Sequence, residues 1–116
     1  MPSTTRYKRG DIVLVPFPFT DLSSSKRRPA LVISPDAFNQ QMQDVVVAAI
    51  TSQLTDTEHA VTLEIADCVD GALPKKSLLK ITKVFTIHSS LVVKKLCALR
   101  EEKLAAVLGE LRRIFS

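Results

Sequence analysis

Three consecutive cations, Lys26-Arg27-Arg28, stand where a polar stretch meets an apolar one, and Pro29 follows them. A planar guanidinium fork offers parallel N–H donors to phosphate oxygens, so an arginine here can hold a phosphoester. A charge run is equally what the solvated end of a loop looks like. Arg28 differs from its neighbours because the core-type strand Ala30-Leu31-Val32-Ile33 follows it. That strand fixes its backbone and aims its head group. Thr51 closes the apolar run that begins at Val45. A hydroxyl at the end of a buried strand can hydrogen-bond a reacting phosphate or the group attacking it. It can also be an ordinary β-branched strand residue.

Other reactive side chains form no constellation. His59 lies in a polar loop and His88 follows the strand ending at Ile87; neither has a partner at metal-ligand or triad spacing. Cys68 and Cys97 form no CxxC pair and no four-ligand zinc pattern, and their apolar surroundings make them core fillers. There is no glycine-rich phosphate loop, nucleophile elbow or paired-carboxylate pattern. The sequence therefore calls for no metal and no cofactor.

The positioning elements follow from the hydrophobic pattern. The chain has 116 residues, 46% hydrophobic and 24% charged, which suits one globular domain over 1–116 with a polar lead-in at 1–9. Gly10-Asp11 signals a turn, and Ile12 to Phe19 reads as a strand interrupted by Pro16 and Pro18. Thr20 to Arg27 is a loop. Ala37 to Gln43 suits a short helical turn. Val45 to Thr51 suits a central strand covered on both faces. Val61 to Ile65 alternates, as a half-buried strand does, and Leu78 to Ile87 reads as one long bent strand or two short ones. The period then changes: Leu104, Val107, Leu108, Leu111, Ile114 and Phe115 follow helical spacing. Glu101 and Glu102 begin that helix and Arg112 and Arg113 end it, as the helix dipole favours. Ala98-Leu99-Arg100 supplies no N-cap side chain. Five or six short strands with tight turns and one C-terminal amphipathic helix make a mainly β (α+β) chain, and a small barrel avoids exposed edges.

The net charge of +4 favours polyanionic partners. Lys75, Lys76, Lys80, Lys83, Lys94 and Lys95 add to it in the second half, and only the fold can say which of them edge a groove. The 5% aromatics and lack of tryptophan argue against a broad base-stacking platform. No apolar run approaches the ~20 residues of a membrane helix, and the first residues have no signal-peptide pattern. The expected compartment is the cytoplasm, with reduced thiols.

Gly10-Asp11-Ile12-Val13, then Arg28-Pro29-Ala30-Leu31-Val32-Ile33-Ser34, then Ala48-Ala49-Ile50-Thr51-Ser52-Gln53 resemble, in order and spacing, the signatures of the MazF/PemK family of toxin–antitoxin endoribonucleases. Ser77-Leu78-Leu79-Lys80 and the terminal helix are similar to the family's second half, so the resemblance covers residues 9–115. It implies an SH3-like barrel with flanking helices, usually a homodimer. It implies metal-independent cleavage of single-stranded RNA, often at a short sequence, to 2′,3′-cyclic phosphate and 5′-hydroxyl ends. Carried over by motif position, Arg28 and Thr51 are the catalytic pair; Ser25, Lys26, Arg27 and Gln53 beside them are the candidate RNA contacts. A small antitoxin protein, with carboxylates among apolar anchors, is the expected partner. The family loop before Arg-Pro commonly carries glycine and an acidic-Gln pair; here it is Asp21-Leu22-Ser23-Ser24-Ser25-Lys26-Arg27. Two other readings suit the same sequence: a toxin of the same barrel acting on a protein, as CcdB-like gyrase poisons do, and a non-catalytic nucleic-acid-binding barrel.

Overall fold

The computed structural model describes residues 7–16, 26–55 and 58–116. One seven-stranded antiparallel sheet dominates, in the order β4-β6-β3-β2-β1-β7-β5. The strands are β1 (Asp11–Pro16), β2 (Arg27–Val32), β3 (Asp44–Thr51), β4 (Ala60–Leu63), β5 (Cys68–Val69), β6 (Ser77–His88) and β7 (Lys94–Leu99). Two helices accompany them, α1 (Asp36–Gln41) and α2 (Glu101–Phe115). The result is the mainly β architecture with a C-terminal helix expected of the chain.

The sheet buries both of its faces. Because successive strand residues point to opposite sides, β1, β2 and β3 each feed two separate cores. Ile12, Leu31, Ala48 and Ile50 join one core, with Val107 of α2 buried in it and Leu104, Leu111 and Ile114 packed against it. Val13, Val15, Ala30, Val32, Val45 and Val47 form the other, with Ile87 and Val92. This explains why β3 reads as a continuous apolar run rather than an alternating one.

β6 is one long strand, and it is bent. Ala48 pairs with Val84 and Ala49 with Lys80, so residues 81–83 bulge from the ladder. Such an insertion bends and twists its strand. It also breaks the expected alternation, since Lys80 and Ile81 are both buried. Two further expectations need correction. The strand read over Val61 to Ile65 stops at Leu63; Ile65 begins a single 3-10 turn (Ile65–Asp67) and is 54% exposed. β5 and β7 were not anticipated as strands, because neither has a run of alternating residues long enough to stand out. The part of the first expected strand after Pro16, residues 17–19, lies outside the described residues.

Gly10 turns the chain into β1 at φ +100, and a Cβ there would meet Leu104 of α2 at 2.9 Å. A glycine thus serves both the turn and the close approach of the helix. Beside it, the Asp11 carboxylate accepts the Lys8 N–H and pairs with Lys95 at 3.3 Å. Arg100 caps α2 without a side-chain cap bond, as the sequence Ala98-Leu99-Arg100 implied, and its Nε–H reaches across to the Ala66 carbonyl at 2.7 Å.

Cys68 and Cys97 are buried free thiols on adjacent strands and hydrogen-bond each other. Burial first, and then the neighbouring thiol, push Cys97 up to about 12. Burial also raises Cys68. A raised thiol pKa stabilises the fold while both states hold the proton. That contribution fades as pH rises from the unfolded thiol's value towards the folded one. Native protein at neutral pH should therefore resist a thiol-alkylating reagent, unfolded protein should take two equivalents, and denaturant midpoints should fall progressively above pH 9. Rapid alkylation of the native protein at neutral pH would show that β5 and β7 open readily.

Candidate functional site

The ladder between β2 and β3 decides what stands beside what. Ala30 pairs with Ala49, Leu31 with Ala48 and Val32 with Val47. Carrying that register outward by two residues brings Arg28 abreast of Thr51, and Pro29 abreast of Ile50. Pro29 has no N–H to offer either neighbour, and the ladder to β3 ends just inside it. On the far side Leu14 of β1 pairs with both Pro29 and Lys94 of β7. A row of residues therefore runs across four strands from Ile50 to Lys94.

A cleft of about 440 Å³ opens along this row. Leu14, Ile50, Leu73 and Leu96 supply its apolar surface. Arg27, Arg28, Lys75 and Lys94 supply charge, and Thr51, Ser52 and Ser77 supply hydroxyls. All four charged lining residues are cations; among the described residues no carboxylate lines the cleft. Arg28 is half-buried with its Nε fully enclosed, whereas Arg27 is exposed. The buried β2 core behind Arg28 fixes the backbone from which it extends.

Thr51 Oγ1 accepts the backbone N–H of Gln53 at 3.1 Å. The bond holds the turn after β3 and fixes the hydroxyl's position. A hydroxyl that accepts once still has its own proton to donate. Gln53 thus contributes through its backbone; its exposed side chain is not part of the cleft lining. Lys26 is also exposed and outside the lining. Ser25 lies outside the described residues, as does most of the loop from Thr20. Of the six residues singled out in the sequence, the cleft gathers Arg27, Arg28 and Thr51.

The opposite wall is made by residues that sequence reasoning could only count as extra charge or core. Lys94 sits in unrecognised β7. Leu73, Pro74 and Lys75 come from the segment after β5, held by a close backbone approach. Gly71 adopts φ +130, and a Cβ there would lie 2.0 Å from the Leu96 carbonyl oxygen. The Ser77 hydroxyl, itself buried, then donates to the Lys75 carbonyl at 2.9 Å. The signal that could have found this wall is Gly71 itself, a glycine after Asp70, which has φ 55. The histidines stay apart: His88 Nδ1 accepts the Ser90 N–H and its Nε2 meets Gln43 Oε1 at 3.1 Å, while His59 sits in a turn at φ 52. Among the described residues no group of His, Cys, Asp and Glu is placed to hold a metal ion.

Residues 8–115 match the family described as PemK-like, MazF-like toxin of type II toxin-antitoxin system. No curated protein sequence matches the chain. Among solved structures, a chain of a mycobacterial endoribonuclease crystallised with its cognate antitoxin aligns at TM-score 0.74 and 17% identity, over 97% of this chain and 95% of its own. A chain of the MazE–MazF crystal structure from Deinococcus radiodurans aligns at TM-score 0.76 and 24% identity, over 96% and 97%. At these identities the likeness is one of fold.

Gly71→Ala is expected to destabilise the protein by more than ~1 kcal/mol, because both its φ and its contact with Leu96 exclude a side chain. Chemical denaturation checks this. A wild-type midpoint would mean that the segment carrying Leu73 and Lys75 is not clamped to β7.

Proposed function

The chain belongs to the family of PemK-like, MazF-like toxins of type II toxin–antitoxin systems, and from that premise we propose that it is an endoribonuclease acting on single-stranded RNA in the cleft that holds Arg28 and Thr51. The observation that carries this reading is the cleft's content: a partly enclosed arginine abreast of a fixed hydroxyl, with cations and no described carboxylate around them.

RNA supplies its own nucleophile. The 2′-oxygen attacks the adjacent phosphorus, the bond from phosphorus to the 5′-oxygen breaks, and a 2′,3′-cyclic phosphate and a 5′-hydroxyl result. One proton leaves the 2′-oxygen and one arrives on the 5′-oxygen. The protein's tasks are to align the attack and to stabilise the extra negative charge that builds on the phosphoryl oxygens. Arg28 is suited to the second task, since its guanidinium is already charged and its backbone already fixed. A guanidinium offers N–H donors and no acceptor, so taking a proton is not its role. Thr51 is suited to orienting or protonating an oxygen. Its Oγ1 is held by the Gln53 N–H, so little reorganisation remains to be done when substrate arrives. This division of labour calls for no metal ion.

The same cleft suits an inhibitory partner. A segment with carboxylates among apolar residues would match its cationic wall and its apolar surface together. The two solved relatives described above were each crystallised with an antitoxin, which supports that arrangement here. A homodimer is the proposed assembly, consistent with Phe115 at 67% and Leu91 at 52% exposure. Light scattering at micromolar concentration should return twice the chain mass; a monomer mass would remove this part of the reading.

The reaction is tested directly. Purified protein should cut single-stranded RNA in the presence of EDTA and leave a DNA strand of the same sequence intact. Arg28→Ala should abolish most turnover while the protein remains folded. Thr51→Val should cost on the order of 10²-fold in rate, and Thr51→Ser, which restores the hydroxyl, should recover much of it. Strict dependence on added magnesium, or parental rates in Thr51→Val, would sink the mechanism.

A further inference from the structure

The cleft is wider than one phosphate needs. Thr51 on β3 and Lys94 on β7 are separated by three strand-to-strand intervals, about 14 Å along the sheet. Arg28 and Thr51 stand on one side of Leu14, and Lys94 pairs with Leu14 on the other. Lys75 joins Lys94 in the lining.

Three lysines of the second half form ion pairs with described carboxylates. Lys76 pairs with Glu64, Lys95 with Asp11 and Lys103 with Asp67. Lys75 and Lys94, the immediate chain neighbours of two of these, line the cleft and form no ion pair with a described residue. In β7 the alternation of the strand separates Lys94 from Lys95. Carboxylates pair with Lys76 and Lys95, while among the described residues none pairs with the two lysines that line the cleft. Cations lining one cleft repel each other, and an anion bound between them relieves that repulsion.

We propose that Lys75 and Lys94 form a second phosphate subsite, which holds the phosphodiester next to the one that Arg28 and Thr51 act on. The proposal rests on reading the cleft as an RNA site. Leu14, lying between the two pairs of residues, then faces the nucleoside that links the two phosphates. The second subsite fixes where the strand enters and so aligns the reacting linkage. Its effect belongs to binding rather than to the transition state, because its phosphate undergoes no change of charge.

The experiment measures binding separately from cleavage. A short, mixed-sequence 2′-fluoro RNA, which has no attacking hydroxyl, serves as the probe, followed by fluorescence anisotropy from low to high salt. Lys94→Ala and Lys75→Ala are exposed substitutions that should fold normally. Each should weaken binding by about tenfold at low salt and reduce the slope of log affinity against log salt by roughly 0.7. Lys83→Ala removes the same charge from an exposed position outside the cleft and should change neither quantity beyond its general electrostatic share. On cleavable RNA the same two cleft variants should raise KM and leave kcat within about twofold, the mark of lost uniform binding. Once the cut site is mapped, a neutral methylphosphonate at the linkage beside it should weaken binding to wild-type protein but not to Lys94→Ala. Wild-type binding by both cleft variants would overturn this proposal and leave RNA cleavage standing. Tight binding of the 2′-fluoro probe with no cleavage of ordinary RNA would overturn the proposed reaction and leave the subsite standing. No binding of the probe by the unaltered protein would overturn both.

Discussion

β3 carries apolar residues on both of its faces, and both faces are covered. Val45 and Val47 are sealed in one core, and Ala48 and Ile50 in the other. A one-residue slip against β2 would exchange every side chain between two differently shaped cores. The register is therefore held by packing over the whole length of the strand, with Ala48 and Ala49 both buried within it. The position of Arg28 beside Thr51 is a consequence of that register, two residues beyond its last pair. Neither residue needs to organise the other. The precision that the proposed site requires is supplied by valines and alanines that lie outside the cleft.

The two sides of the cleft are secured differently, and this explains which were legible in the sequence. Arg28 and Thr51 sit at the ends of strongly apolar strands, so their types and positions stood out beforehand. The helix was equally clear, because six apolar residues at helical spacing leave little alternative. The far wall depends on contacts between segments remote in the chain. β7 is only Lys94–Leu99 and pairs with Asp11–Leu14, some eighty residues earlier. Nothing in Lys-Lys-Leu-Cys-Ala-Leu declares that pairing. β5 has two residues and exists only because β7 lies beside it. The bulge of β6 likewise depends on its partner, since residues 81–83 are extra only when counted against Ala48 and Ala49. The mistaken end of β4 has a related cause: alternation continued through Ile65, but the chain turned away at Glu64, where the Asp67 carboxylate accepts the Glu64 N–H at 2.7 Å and closes a turn.

The family match and the fold agree with the motif reading, but they do not by themselves assign chemistry to side chains, since one barrel can host several activities. The local geometry narrows the choice. A cleft for an apolar protein segment alone would not need to concentrate Arg27, Arg28, Lys75 and Lys94. A passive nucleic-acid groove would need the charge but not a half-buried arginine abreast of a hydroxyl already fixed by a backbone N–H. The endoribonuclease reading uses both features, with the charge for the strand and the fixed pair for the reacting linkage.

Concentrating like charge in one cleft opposes folding, and the structure limits that cost in two ways. Arg27, Lys75 and Lys94 are exposed, so water screens much of their mutual repulsion. The cations not facing the cleft are in several cases matched with carboxylates, as Lys95 is with the buried Asp11. A ligand bearing phosphates or carboxylates can then gain from Lys75 and Lys94, which form no ion pair with a described residue. RNA and an acidic inhibitory segment would draw on the same cations. Occupation by either would thus exclude the other through charge as well as through volume. The competition between substrate and inhibitor would then be built into the placement of a few lysines and arginines around an apolar cleft.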